Sequence, residues 1–461
     1  MYDIIIIGAG TAGISAYKEA IRHTQNILVI NQGPWDTTCA RVGCMPSKVL
    51  ISTANRMHDI LHAYEVALTV KAEIDRSQVM QHVRRLRDRF TAATLRDVES
   101  WDPQHKISGT AVFINENTVE VDGQHYQAKA FIIAVGSTPN IEIELKNKLA
   151  ERLITSDQVF ELKQLPRSLA VIGSGVIAIE LAQAFQRLGV KTTVFARSAK
   201  VGVLTSPNLQ KIAQQEISKE LDIKFGYLPE SFELIGDEVQ ITYDKENPQT
   251  LNVDYVLTAI GRKSNLSSLK LENIHPDYKD TKQLDIDADS KQLGKYPIFI
   301  VGDAYTSTPL QHEAAIEGKL AVKNCLNYPK IENIKTLTPL GIVFSSPEMA
   351  ISGQNYAVLV KQGIEFVTGT VSYEKQGRAI VLGKNRGAVE VYVEKSTRRL
   401  LGAELLVESA EHMAHLLSWI ISQQLSIDEI LEMPFYHPTL EEGLRTALKH
   451  ARRQLAANSN V

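Results

Sequence analysis

Two cysteines separated by four residues are the first feature of this chain suited to chemistry. The segment TTCARVGCMPSKVL sets Cys39 and Cys44 just ahead of a predicted helix, with Lys48 one turn beyond the second thiol. A thiolate needs local positive potential, which a helix N-terminus and a lysine both supply, and a neighbouring sulfur can close a small disulfide loop. The chemistry is then thiol–disulfide exchange. Only three cysteines occur, too few for a stapled secreted fold, so a close pair has a specific use. Two other readings stand beside it: chance neighbours in a core, and half of a metal site. No second Cys or Cys/His cluster completes a zinc set, so no metal is expected. The odd thiol, Cys325 in KNCLNYP, is expected to be a packing residue.

Elements that bind a second reactant frame this pair. A strand-like run, YDIIIIG, leads into GAGTAG at 8–13, a helix follows, and ILVI at 27–30 reads as a second strand. Gly8, Gly10 and Gly13 permit a tight turn and close approach of a pyrophosphate to N–H groups at a helix N-terminus, where the macrodipole favours anions. An FAD or NAD moiety fits such a loop. Where a ribose-binding acid is expected, the chain has Asn31, which can hydrogen-bond a ribose without charge. The pattern returns at LAVIGSGVIAIELAQAFQRLGVKTTVFAR, with Gly173, Gly175 and Ala178 in the loop. Its second strand ends in Phe195-Ala196-Arg197, without the acid of an NAD-type site. Arg197 suits a 2′-phosphate, because a guanidinium offers a fixed fork of donors, and this favours NADPH. A solvated surface arginine is the alternative.

The rest of the sequence is organised around these units. AEIDRSQVMQHVRRLRDRF reads as an amphipathic helix, and AVFINENTVEVDGQHYQAKAFIIAVGS alternates with period two around an Asp122-Gly123 hairpin signal. IFIVGD at 298–303 reads as a further strand, followed by a helix from near His312. From about Thr338 the texture changes to short alternating strands, FVTGTVSY, RAIVLG and AVEVYVE, then helices over ESAEHMAHLLSWIISQQ and TLEEGLRTALKHARR. The closing AANSNV is expected to fray. At 461 residues the chain suggests about three domains of ~150 residues each. Net charge of -3 with 44% hydrophobic residues gives no basic excess to recruit nucleic acid. The apolar start, Ile4 to Ile7, is too short for a signal peptide or membrane span, so a cytoplasmic protein without membrane contact is expected.

The block Cys-Ala-Arg-Val-Gly-Cys-Met-Pro-Ser-Lys is far more specific than its spacing. It resembles the redox-active disulfide of the flavoprotein (class I pyridine nucleotide-) disulfide oxidoreductases, which include dihydrolipoamide dehydrogenase, glutathione reductase and mercuric reductase. The resemblance extends over the chain through AVGSTPN at 134–140, TAIGRKSN at 258–265, VGDAYTSTPLQHEAA at 301–315 and HPTLEEGL at 437–444. It implies an α/β fold with two Rossmann-like domains and an α+β C-terminal dimerisation domain. These are an FAD-binding domain over 1–150, to which 266–337 returns, an NAD(P)-binding domain over 151–265, and an interface domain over 338–461.

The resemblance also implies roles. Cys39 meets the substrate, Cys44 lies against the flavin, and Lys48 lies near flavin N5, paired with Glu180. Asp303 binds the FAD ribityl chain, and Gly136 and Gly261 lie in cofactor-binding motifs. His437 and Glu442 resemble the family's acid–base pair: imidazole takes a thiol proton near neutrality, and a carboxylate on its other nitrogen fixes the tautomer. In the family this histidine reaches the disulfide of the other subunit, which implies a homodimer with a shared active site. The absence of C-terminal cysteines argues against mercuric reductase and against thioredoxin reductases with a C-terminal relay. Val176, where glutathione reductase usually has tyrosine, favours the dihydrolipoamide dehydrogenase branch. The missing nucleotide acid pulls instead towards an NADPH-dependent reductase of another small disulfide. A soluble transhydrogenase is disfavoured by the intact thiols; a binding subunit of a 2-oxo-acid dehydrogenase complex and a redox-silent dinucleotide sensor are the non-enzymatic alternatives.

Overall fold

The computed structural model describes residues 1–305, 310–333 and 337–458. Residues 306–309 of the VGDAYTSTPLQHEAA block and 459–461 of the AANSNV tail lie outside the described residues. The chain divides into two compact units, one formed by 1–47, 81–140 and 261–336, the other by 48–80, 141–260 and 337–461.

In the first unit the opening isoleucines form the strand Tyr2–Ile7, buried on both faces. Ile4 and Ile6 pack with Ala16, Tyr17, Phe299 and Ala321, while Ile5 and Ile7 pack with Leu28, Ile30, Phe131 and Leu293. A side-chain period of two thus feeds two separate cores, as a parallel strand covered on both sides requires. The strand pairs in parallel with Ile27–Asn31 and with Gln124–Ile133, and Ile298–Ile300 extends the sheet beyond the latter. The helix Thr11–Ala20 follows the first glycine loop directly. Asp122 and Gly123 take the two left-handed positions of the predicted hairpin, at φ 50° and 79°. Cys325 is buried in the first core, and burial pushes its thiol pKa up, which suits packing rather than reactivity.

In the second unit Ser168–Ile172, the helix Val176–Arg187 and Lys191–Ala196 repeat the strand–helix–strand pattern. These strands belong to a five-stranded parallel sheet. The C-terminal part forms a separate five-stranded antiparallel sheet, on which the helices Ala410–Ser422 and Glu442–Asn458 bury Met413, Leu417, Leu444 and Leu448. One expected strand is not one. RAIVLG lies on the short helix Gly377–Val381, because the Gln376 side chain accepts from the Ala379 N–H as an N-cap and its amide donates to the Thr439 carbonyl. Those local bonds outweigh the β-branched composition. Among the described residues, no helix is long and apolar enough to cross a membrane.

Candidate active site

Both glycine loops make tight turns into helix N-termini. Gly8 has φ +105°, and a Cβ there would lie 2.3 Å from the Ala134 carbonyl oxygen. A Cβ on Gly13 would lie 1.9 Å from the Gly8 oxygen. Gly10 differs, since nothing lies within 4 Å of its added Cβ. It is the N-cap of Thr11–Ala20, with no side chain capping the helix. Open space at a helix N-terminus is what an anion needs. The second loop repeats this: Gly173 has φ +120° with the Ala259 oxygen 2.5 Å from a Cβ, Gly175 is open and caps Val176–Arg187 without a side-chain bond, and Ala178 is fully buried.

The flanks of the loops depart from a uniform pattern. Asn31, expected at a ribose, is buried. Its Oδ1 accepts from the Ala9 N–H at 3.0 Å, and its amide donates to the Gly33 and Pro34 carbonyls at 3.2 and 2.9 Å. Both donors are therefore committed, and only Oδ1 retains capacity for a ribose hydroxyl. Arg197 stands exposed just past the strand Lys191–Ala196. The segment after it is tethered: Gly202 N–H donates to the Ser174 carbonyl of the loop, and Gln210 bonds both backbone groups of Val201.

Asp303 lies in the turn Gly302–Ala304. Burial raises its pKa, while Arg262 and a hydrogen bond with Ser137 oppose that rise. Arg262 donates to the Ser137 hydroxyl and carbonyl at 2.9 and 2.7 Å, and Glu317 accepts from the Gly302 N–H at 2.7 Å. Arg262, Ser137 and Glu317 were not singled out from sequence. The first two sit inside quoted motifs, whereas Glu317 is one carboxylate on a helix with nothing to mark it. Gly136 and Gly261 have φ +65° and +98° and flank the paired segments Ser137–Pro139 and Arg262–Ser264.

The thiol segment is locally ordered. Thr37 caps the short helix Thr38–Arg41 that carries Cys39, and Arg41 donates to Asp36 at 2.8 Å. Cys44 opens the helix Cys44–Leu61, and the Ser47 hydroxyl donates to its carbonyl at 2.9 Å. Gly43 joins the two pieces where a Cβ would stand 3.0 Å from the Thr38 oxygen. Cys44 is exposed and Cys39 partly so, and Cys44 holds the helix position where the dipole favours an anion.

Two expected pairs are formed. Lys48 Nζ lies 2.8 Å from Glu180 Oε2, the carboxylate almost fully buried. His437 Nδ1 lies 3.1 Å from both Glu442 oxygens. The hydrogen bond with His437 and one from the Thr439 N–H hold the Glu442 carboxyl below its ordinary pKa. Glu442 thus stays ionised and fixes a proton on Nδ1, leaving Nε2 as the basic nitrogen on a ring whose side chain is 80% exposed.

The pyridine nucleotide-disulphide oxidoreductase family model matches residues 2–318, and the dimerisation domain of these enzymes matches residues 340–448. A dihydrolipoyl dehydrogenase of Geobacillus stearothermophilus is 29% identical over 95% of this chain and 94% of its own. A mercuric reductase of Staphylococcus aureus is 27% identical over 97% of this chain and 82% of its own. In structure, LpdA of Mycobacterium tuberculosis superposes with TM-score 0.82 at 22% identity, covering 98% of this chain and 99% of that one. The HOCl-induced flavoprotein disulfide reductase RclA of Escherichia coli, as its Cu(II) complex, gives 0.80 at 20% identity, over 97% and 99%. Matched by the family's model through both glycine loops and the thiol segment, the chain belongs to the pyridine nucleotide-disulphide oxidoreductase family.

Proposed function

We propose that the protein is an FAD-dependent dithiol/disulfide oxidoreductase working through Cys39 and Cys44, with dihydrolipoamide dehydrogenase-like activity as the first reading. The observation that carries it is the thiol segment itself, two cysteines set on consecutive helices with Cys44 at a helix N-terminus and Lys48 one turn on. The loops fit the cofactors, because Gly10 and Gly175 leave open space at uncapped helix starts. When bound, FAD and NAD(P)H supply hydride transfer and a two-electron relay to the disulfide.

The chain's own residues do the rest. In the reductive direction the Cys39 thiolate attacks a substrate disulfide, forming a mixed disulfide and releasing one thiolate, which takes its proton from His437. Cys44 then attacks the Cys39 sulfur, closing the internal disulfide and releasing the second thiolate. Glu442 holds His437 in the tautomer that makes this proton transfer effective. Asp303, Gly8, Gly10, Gly13, Gly136 and Gly261 are assigned to FAD, and Gly173, Gly175 and Arg197 to the nicotinamide nucleotide. We further assign 1–150 with 266–337, 151–265 and 338–461 as the FAD, nucleotide and interface domains. The enzyme is proposed as a homodimer in which His437 serves the partner's disulfide, a reading that the match to a dimerisation domain supports.

The second reading is an NADPH-dependent reductase of another small disulfide, favoured by Ala196 and Arg197 where a carboxylate is absent. Steady-state assays with lipoamide and glutathione disulfide, each with both nicotinamide nucleotides, decide between them. Turnover of lipoamide with NADH supports the first; turnover of another disulfide with NADPH alone supports the second. Undiminished turnover by Cys44→Ser excludes both.

A further inference from the structure

Lys48 is held from two sides by arrangements that converge on one residue. Glu180 presents Oε2 to Lys48 Nζ at 2.8 Å and uses Oε1 to accept the Phe344 N–H at 2.9 Å. The ring of that same Phe344 lies under the ammonium, with Nζ 4.6 Å from its centroid. Phe344 itself is fixed by the segment that follows. Gln183, one turn after Glu180, accepts the Ser346 N–H at 2.7 Å and donates to the Ser346 carbonyl at 2.8 Å. Arg386 donates to the Ser346 hydroxyl at 2.8 Å.

A lysine on four methylenes is a mobile charge, and one carboxylate contact leaves it free to swing about that contact. An aromatic face removes water from one side and attracts the ammonium through its quadrupole. We propose that Phe344 is a positioning residue for Lys48: its ring fixes the ammonium, and its N–H fixes the carboxylate that pairs with it. The inference rests on the reading that Lys48 stands beside bound FAD. Its consequence is electrostatic, because a cation held at constant distance favours the electron-rich reduced flavin, and a wandering one does so less.

The test uses the flavin-loaded enzyme and reads the ratio of reduced to oxidised flavin at a fixed electrode potential. Phe344→Leu keeps the backbone N–H and removes the ring, so the ratio is expected to fall roughly twofold to thirtyfold. Phe344→Tyr keeps the ring and restores the ratio. Lys48→Met is expected to lower it at least as far, and adding Phe344→Leu to Lys48→Met produces no further fall, since the two act as one unit. An unchanged ratio in Phe344→Leu beside a lowered one in Lys48→Met overturns the positioning role and leaves the lysine reading standing. An unchanged ratio in Lys48→Met overturns both. If the leucine variant sheds its flavin, Phe344→Met, closer in volume, is read at the same potential with the same criteria.

Discussion

The side chain on which the proposed proton transfers depend is His437, and its partner geometry makes the expectation quantitative. With Nδ1 bound to Glu442, Nε2 is the nitrogen left to exchange protons with a substrate thiol in the proposed mechanism. His437→Gln is therefore expected to retain flavin and lose roughly 10²–10⁴-fold in thiol-linked turnover; near-normal rates in a flavin-replete variant remove the base from the mechanism. Arg197 is the second residue-scale case. Replacing it with alanine is expected to lower kcat/KM for NADPH about tenfold or more, as loss of a charge-assisted pair requires, while leaving NADH little changed. Unchanged kcat/KM with both nucleotides marks a solvated surface arginine, and equal losses with both place its contact away from the 2′-phosphate. The thiols, Lys48 and His437 could be marked in sequence as candidates because each sits in a contiguous block. Asn31 was legible as a departure but not in its use: its bonds to Ala9, Gly33 and Pro34 turn an expected ligand residue largely into a loop clamp. Glu317 and Phe344 act on partners far along the chain, so no local pattern announces them.

At the scale of elements, the glycine loops separate folding from binding. Gly8→Ala places a Cβ 2.3 Å from the Ala134 oxygen at φ +105°, so it is expected to cost a few kcal/mol and several degrees of Tm. Gly10→Ala meets nothing within 4 Å and keeps an ordinary backbone at φ -77°. Its apoprotein is expected to melt with wild type, while flavin retention falls, because the added methyl occupies the space a phosphate needs. Thermal melts of apoprotein beside flavin dissociation measurements check both; undiminished flavin retention by Gly10→Ala sinks the cradle argument. Sequence periodicity anticipated this strand–loop–helix architecture, since fully buried strands and alternating cores leave strong patterns. It failed at RAIVLG, where Ile380 and Val381 are exposed and only Ala379 is buried. The deciding interactions there are a side-chain cap at Gln376 and its bond to Thr439, neither of which hydrophobic pattern encodes.

Across the whole molecule, what sequence could not show is how distant segments share buried charge. The change of texture near Thr338 marks the passage of the chain from the first compact unit into the second, whose residues include both the C-terminal sheet and the earlier sheet of Ser168–Ile172. Buried Glu404 of the C-terminal sheet accepts from Thr205, Ser206 and Tyr356, contacts that no window of sequence contains. Buried titratable groups of this kind also set the response to pH. Glu348 accepts from the Glu411 N–H at 3.0 Å, and burial, with Glu408 and Glu411 nearby, raises its pKa from 4.5 to about 7. The unfolded chain ionises near the lower value, so this carboxyl's stabilisation is complete below it and is lost as pH rises towards 7. His58 runs the other way: burial, then Arg187, His62 and Lys384 against the opposing Glu220, depress it from 6.5 to about 4. Its neutral native form is penalised as pH falls through that window, because the unfolded imidazole takes a proton first. Between about pH 4.5 and 6.5 the two effects oppose each other. The Tm of Glu348→Gln relative to wild type is therefore expected to rise with pH, and that of His58→Gln to fall. Melting curves across this range decide it, since differences from wild type cancel the titrations all three proteins share. Two difference curves that run parallel to each other refute the assignment of these groups as opposed titrations.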